Sequence, residues 1–439
     1  MYSISNGSNR SVDYFSPSAE LATKFKGSLG KIMNPLLDMP LSNSFAMKTG
    51  IGEVNFTRDS SATYINRYGD LQSVAKNEPR FENDGLLIEN SSSNLITYSQ
   101  DFTNDNFYEV KECNIEQDIA NIDGSTEACK LVPTTAEDSH TYGKKQISFD
   151  KNAKVTISIT AEYAGVQYLS IQHGNFVSWE TRGSVTFDLI NGKVVYEETG
   201  AGNSIVTGHI SDLGKGRFRC ELRGGVRNDE DKVSTVYLQP RIIATASKYV
   251  GDDAAGIIIH NMQGEYLSFA TSYIPTTDET VTRATEKCIV SGNNVPYQDF
   301  TILMSSNSFG TDGTDRAKTL SMMSSDGNDK LTCGYSYNHQ GQLYVDDDTM
   351  ASIYFGDILN HSSTVHWAFR FCKGIVDVYV EGQHLLTVDK GLTDTYDAGS
   401  YLSLGGADTD TDTGCLFGHL KSLKIYDFAL DDEEIKLLQ

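Results

Sequence analysis

Lys154-Val155-Thr156-Ile157-Ser158-Ile159-Thr160-Ala161-Glu162 is the stretch that decides how this chain folds. Val155, Ile157, Ile159 and Ala161 fall on one side of an extended backbone, because successive side chains of a strand point to opposite faces. The rhythm recurs downstream. Val185, Phe187 and Leu189 share one face of residues 184–189, and Phe218, Cys220 and Leu222 repeat the pattern, as do Val236 and Leu238. Asn191-Gly192 joins the apolar runs 187–190 and 193–196, which predicts a tight hairpin because both turn residues tolerate positive φ. Further on, Trp367, Phe369 and Phe371 alternate, Lys373-Gly374 turns the chain, Val376, Val378 and Val380 alternate, and Glu381-Gly382 turns it again. Trp367 belongs to that apolar face and is expected in a core. Short strands separated by turns, with almost no helical windows, predict a mostly β chain of two tandem β-sandwiches, the first of which reads as a sandwich or jelly roll.

The two ends of the chain read differently. Leu21, Phe25, Leu29, Ile32, Met33, Leu36 and Leu37 recur at spacings of three and four, which predicts one or two short helices broken by Pro35 and Pro40. A partly helical segment over 1–45 suits either attachment to another subunit or a cap on the first domain. At the other end, Asp431 can cap a short helix while Glu434 reaches back in a capping box, with Leu430 and Ile435 as its hydrophobic staple. The expected units are 1–45 for attachment, 46–100 as a lead-in, 101–285 as the jelly roll and 286–439 as the second sandwich. The 439 residues agree with roughly three domains.

Composition narrows the functional classes. Hydrophobic residues make up 39% of the chain and mean hydropathy is −0.35, values of a globular protein. No window approaches the ~20 apolar residues of a membrane span. The first residues lack the basic and apolar regions of a secretory signal, so maturation in the cytosol that makes the protein is expected. A formal net charge of −23 argues against a phosphate-tracking groove, so nucleic acid is not an expected partner. Cys113, Cys129, Cys220, Cys288, Cys333, Cys372 and Cys415 form no C-x-x-C pair and are expected as buried thiols.

Several ordered strings resemble a known family. They are Phe56-Thr57-Arg58-Asp59-Ser60-Ser61-Ala62-Thr63-Tyr64-Ile65-Asn66, Pro79-Arg80-Phe81, Gly85-Leu86-Leu87-Ile88-Glu89 and the run from Asn94 to Phe102. Together they resemble the segment that leads into a carbohydrate-binding-module-like jelly roll in head-spike and tail-fibre proteins of tailed bacteriophages. Tyr273-Ile274-Pro275-Thr276-Thr277 and Val281-Thr282-Arg283-Ala284 are similar to the segment that closes that jelly roll. Residues 213–220 resemble its glycine-aromatic-arginine strand, with Arg217 where an aromatic is usual. Trp367-Ala368-Phe369, residues 378–382 and residues 423–435 resemble concanavalin-A/laminin-G-like sandwiches. The resemblance implies a virion protein, commonly a homotrimer, that meets other phage structural proteins through 1–45 and binds host-surface polysaccharide. A purely structural decoration or neck protein is the competing reading.

Catalytic signatures are missing from the sequence. Concanavalin-like glucanases alternate acids on one strand as Glu-x-Asp-x-x-Glu, since retaining hydrolysis needs two carboxylates about 5–5.5 Å apart, and no such strand occurs. Neither a Gly-x-Ser-x-Gly elbow nor a His-Glu-x-x-His helix is present, so the expectation is a non-enzyme and a hydrolase the least favoured reading. No cofactor is required. Alternating Asp408, Asp410 and Asp412 could converge oxygens on Ca2+, and Asp346-Asp347-Asp348 more weakly, although spacing unlike an EF-hand favours a solvated loop. Sugar binding needs aromatic faces beside hydrogen-bonding groups. Tyr168, His173 and Trp179 form one candidate platform around Gly174-Asn175. Tyr335, Tyr337 and Tyr344 form another, beside Asn338, His339 and Gln342. For each group ordinary strand packing is the competing reading.

Overall fold

The computed structural model describes residues 34–104, 108–149, 153–174, 183–199, 206–225, 233–292, 294, 299–310, 316–323, 329–336, 341–345, 349–352, 363–389, 401–406 and 414–439. Within them the chain is mostly β, as expected, and its strands pair into two sandwiches.

In the first sandwich one sheet runs Val206–Gly214, Arg217–Gly225, Lys154–Ala164, Gly256–Glu265, Ala128–Pro133 and Cys113–Ile119. The facing sheet runs Lys193–Glu198, Gly183–Asp188, Tyr168–Gly174, Val233–Arg241, Thr141–Ser148 and Tyr108–Lys111. The predicted apolar faces meet between them: Val155, Ile157, Ile159, Phe187, Cys220, Leu222 and Leu238 share one buried cluster. A hairpin forms at Asn191-Gly192, but its loop is the four residues 189–192 between Asp188 and Lys193, with Gly192 at φ +60°, Asn191 not at positive φ, and Asp188 Oδ1 accepting the backbone N–H of Ile190 and Asn191.

The second sandwich is discontinuous in sequence. One sheet orders Gln383–Asp389, Ile375–Val380, Val365–Cys372, Phe300–Ser306, Gly418–Tyr426, Gly85–Ile88 and Arg80–Glu82. The other orders Val54–Thr57, Lys287–Val290, Tyr401–Leu404, Arg316–Met323, Asp329–Ser336, Gly341–Val345 and Thr349–Ser352. The unit expected over 286–439 therefore needs strands from the lead-in over 46–100, which is not a separate element. Gly85 shows how closely the two parts meet: a Cβ there would lie 2.5 Å from the Leu420 carbonyl oxygen. The first sandwich is an insertion. Its ends stay together because Ser92–Asn94 pairs with Val281–Arg283.

The N-terminal segment needs a second correction. Residues 1–33 lie outside the described residues, but Leu37, expected in a helix, starts the strand Leu37–Met39 that pairs with Gly418–Tyr426. Leu37, Met39 and Leu41 are fully buried in the second core. Pro35 and Pro40 remove the helical option, and the short alternation around Asp38 then decides. At the C-terminus the helix Asp432–Leu438 carries the predicted cap and capping box at Asp431, and Leu430 and Ile435 pack in one cluster. Trp367 is core, as read from its alternation. Cys113, Cys129, Cys220, Cys288, Cys333 and Cys415 are buried free thiols; Cys372 is half-buried. Burial pushes the Cys129 thiol up to about 11.

Candidate functional site

If Phe218, Cys220 and Leu222 face the core, then Arg217, Arg219, Glu221 and Arg223 face outward, and the register extends this polarity across four strands. Ser211 lies opposite Arg219, Arg219 opposite Thr160, and Thr160 opposite Asn261. The next row is His209, Glu221, Ser158 and Gln263. A sheet in the first sandwich thus carries a polar outer face directly behind an apolar inner one.

Half of this face is covered by the chain returning to the second sandwich. Thr156 Oγ1 donates to the Leu267 carbonyl (2.9 Å), Gln263 Nε2 to that of Thr271 (3.2 Å), and the Ala270 N–H donates to Glu221 Oε2 (3.1 Å). The other half floors a cleft of about 650 Å³. One wall is the turn between the strands Ala62–Ile65 and Leu71–Val74, which includes Arg67 and Tyr68; the opposite side brings in Asn307, Phe309 and His419 of the second sandwich. Glu82 ties these walls together, accepting from the Ile65 N–H (2.7 Å) and pairing with His419 Nε2 (3.0 Å). Tyr68 is 64% exposed, and the Arg67 guanidinium lies 5.3 Å from its ring centroid.

Electrostatics in the floor are largely internal. Burial would raise the Glu221 carboxyl, but Arg223, His209 and Arg219 hold it below its ordinary value, and Arg223 Nη2 stands 2.8 Å from its Oε2. Buried Glu265, by contrast, is raised above its ordinary value, against the opposing effect of Arg219. A flat aromatic face over a floor of hydroxyl, amide and guanidinium groups suits sugar recognition, where ring faces stack and hydroxyls find hydrogen-bond partners.

Behind the cleft lies a buried ion cluster. Arg80 is fully buried and uses all five of its N–H donors: Nε to Glu286 Oε1 (2.9 Å), Nη1 to the Thr63 carbonyl (2.9 Å) and Ser272 Oγ (2.6 Å), and Nη2 to Glu89 Oε2 (2.9 Å) and Glu286 Oε2 (2.7 Å). Arg58 Nη1 donates to Glu286 Oε1 (2.7 Å), and Arg283 Nη2 lies 3.4 Å from Glu89 Oε2. Desolvation would raise the Glu89 carboxyl; Arg283 and Arg80 outweigh it and hold the group at about 2. Arg58, Arg80, Glu89 and Arg283 all come from the strings that carry the sequence resemblance. Those strings build the junction between the sandwiches.

Of the aromatic platforms expected from sequence, only Tyr168 and Tyr335 have side chains among the described residues. Tyr168 is half-buried, opposite Asp188 and Arg241. His173 occupies the strand Tyr168–Gly174 with its side chain outside the described set, and Trp179 lies outside the described residues. Tyr335 is core: it is 3% exposed, its hydroxyl meets Ser306 Oγ at 2.9 Å, and it packs edge-on against Trp367 at 5.3 Å. Its position on the buried parity of Asp329–Ser336 outweighs its polar surroundings in sequence. Tyr344 pairs with Thr332 and Met350 through its backbone, its side chain undescribed, and Tyr337 lies outside the described residues. Asp408, Asp410, Asp412 and residues 346–348 also lie outside them. Among the described residues no group of three or more His, Cys, Asp or Glu could hold a metal ion, and no helix is long and apolar enough to cross a membrane.

The apolar half of each alternation marks the core and is silent on the cleft residues, which lie on the other half. Charges at 217, 219, 221 and 223 were the available signal.

No protein-family model and no curated protein matches the chain. Similar solved structures include domain 4 of AbnA, a GH43 extracellular arabinanase from Geobacillus stearothermophilus, with 16% identity over 39% of this chain and 80% of that one, and a TM-score of 0.29. A SAP-like pentraxin from Limulus polyphemus shows 16% identity over 32% of this chain and 69% of its own, with a TM-score of 0.28. The CBM40 of Ruminococcus gnavus IT-sialidase, bound to α2,3 sialyllactose, shows 14% identity over 33% and 83%, with a TM-score of 0.27. The class that this chain's own sheets define is a mostly β protein in which one sandwich is inserted into another.

Proposed function

We propose that the chain is a non-catalytic glycan-binding protein of a tailed-phage particle, with the cleft between its sandwiches as the sugar site. The observation that carries the binding reading is the polar sheet face that lines one cleft together with exposed Tyr68. The particle role rests on the resemblance of residues 56–102 and 273–284 to spike and fibre proteins. On that reading the ligand is host-surface polysaccharide, other particle proteins are met through the N-terminal segment, and the chain works as a homotrimer whose repeated sites offset weak single-site affinity.

A non-catalytic role is supported by the state of the cleft's carboxylates. Of the five carboxylates lining the cleft, Glu221, Glu82 and Glu89 each have a cationic or imidazole partner together with a backbone N–H donor, which leaves these three poorly suited as the acid and nucleophile of a glycosidase; Asp84 stands 3.7 Å from Lys421 Nζ, and Asp212 accepts the Gly214 N–H (2.7 Å). The competing reading, a spacer or decoration protein, draws on the buried ion cluster, which fixes the two sandwiches relative to one another. Adsorption of purified protein to host cells separates the two. Binding without release of reducing sugar, weakened about tenfold by Tyr68→Ala, supports the glycan reading. A folded protein that does not adsorb but binds capsid or neck proteins supports the spacer.

A further inference from the structure

Among the described arginines lining the cleft, Arg67 and Arg219 have no carboxylate in ion-pair range; Arg67 stands exposed against Tyr68, whereas Arg219 is part of the floor. Arg80 has all five donors engaged, Arg223 is paired with Glu221, and Arg217 reaches Asp70 (3.4 Å) and Glu162 (3.8 Å). Arg219 is half-buried in the cleft floor, and among the described residues its only hydrogen bond runs from Nη2 to Ser158 Oγ (3.1 Å), with no carboxylate in ion-pair range. A guanidinium presents five N–H donors in a rigid plane, so most of this fork is left for solvent or a ligand.

Building on the glycan reading, we infer that the bound saccharide is acidic and that its carboxylate seats on Arg219. A carboxylate matches the planar fork, and partial burial strengthens that contact relative to one in open water. Ser211, Thr160 and Asn261 continue the same row with neutral groups, Thr160 Oγ1 donating to Asn261 Oδ1 (2.9 Å) and Ser211 Oγ meeting His209 Nε2 (3.2 Å), while exposed Tyr68 also lines the cleft. The net charge of −23 does not oppose this at contact range. At physiological salt, charges more than about 8 Å away are largely screened, so the overall charge slows approach more than it weakens the seated ion pair. A phosphate or sulfate ester presents the same anionic chemistry without the planar match.

The test uses the full chain and an immobilised panel that pairs uronate- and nonulosonate-containing oligosaccharides with their carboxyl-reduced counterparts, alongside phosphorylated and sulfated sugars. The expected result is binding of an acidic member about tenfold to a hundredfold tighter than its reduced counterpart. Arg219→Gln collapses that preference, bringing acidic and reduced sugars to within about twofold of one another whatever its effect on overall affinity, and Arg219→Lys, which keeps the charge but not the fork, restores part of it. Thermal melting checks that both variants remain folded. Equal binding of acidic and reduced sugars overturns the inference and leaves the cleft as a neutral-glycan site. Preference for phosphate or sulfate esters over carboxylates also overturns it. Failure of the folded wild-type chain to bind any panel member overturns the glycan reading and this inference with it.

Discussion

Glu286→Gln is the sharpest perturbation of the junction because it alters charge with almost no change in volume. Glu286 Oε1 accepts from Arg58 Nη1 (2.7 Å) and Arg80 Nε (2.9 Å), while Oε2 accepts from Arg80 Nη2 (2.7 Å) and the Glu89 N–H (3.0 Å). An amide must turn its NH2 toward one of these donor pairs, which sets N–H against N–H in a site where Arg58 and Glu286 side chains are 0% exposed. Removing one partner of a buried pair typically lowers stability by about 3–5 kcal/mol. For a domain of this size that corresponds to a fall in melting temperature of roughly 6–20 °C. Lys76→Ala is the control: Lys76 and Asp59 pair at the surface with side chains 61% and 80% exposed, and its melting curve should overlay the wild type. Differential scanning calorimetry with near-ultraviolet circular dichroism reads both variants. A Glu286→Gln transition within 2 °C of wild type, roughly 1 kcal/mol or less, would refute the reasoning that the cluster holds the junction.

Acid should loosen the same junction in a defined window. Glu89 is held at about 2 when folded, below its ordinary unfolded value of about 4.3, so its contribution is complete above the latter and is lost as pH falls through the former; a chemical-denaturation series from pH 6 to pH 2 with no decline attributable to Glu89, judged against Glu89→Gln, would count against it. A chain starting at residue 46 should be several kcal/mol less stable than one starting at residue 34, because it lacks the buried Leu37, Met39 and Leu41; equal denaturation midpoints would show that this strand adds nothing. Chelation with EDTA should leave the melting temperature unchanged, and a drop restored by Ca2+ but not by Mg2+ would establish a calcium site, with Asp410→Asn testing the 408–412 loop.

What could be read from sequence was local. Alternation at 154–162 and 367–380, the Asn191-Gly192 turn and the Asp431 capping box are each written in a few adjacent residues, and each formed. Strand partnership across hundreds of residues is not written that way. Leu37 pairs with Ile425 and Val54 with Val290, so the lead-in strings read as a separate segment although they complete the second sandwich. Leu37 had satisfied a helical spacing as well as a strand one; the prolines around it were the better guide. Polar neighbours in sequence do not make an aromatic exposed: Tyr335 stands in polar sequence but on the buried side of its strand. Arg219 was legible only as the complement of Phe218 and Cys220.

The nesting of one sandwich inside another also sets an order of synthesis. Leu37–Met39 and Gly85–Ile88 leave the ribosome long before Gly418–Tyr426, their partner, exists. The inserted sandwich draws its core from residues between Ile96 and Met262 and can close first, bringing Ser92–Asn94 beside Val281–Arg283. That removes about half of the chain separating Leu37 from Ile425, which by loop-closure scaling is worth only about 0.6 kcal/mol. The larger effect is temporal: apolar strands wait unpaired while the nascent chain grows, exposed to edge pairing with neighbouring chains. Slowing elongation between residues 290 and 418 should therefore reduce soluble yield more than slowing it between residues 100 and 260.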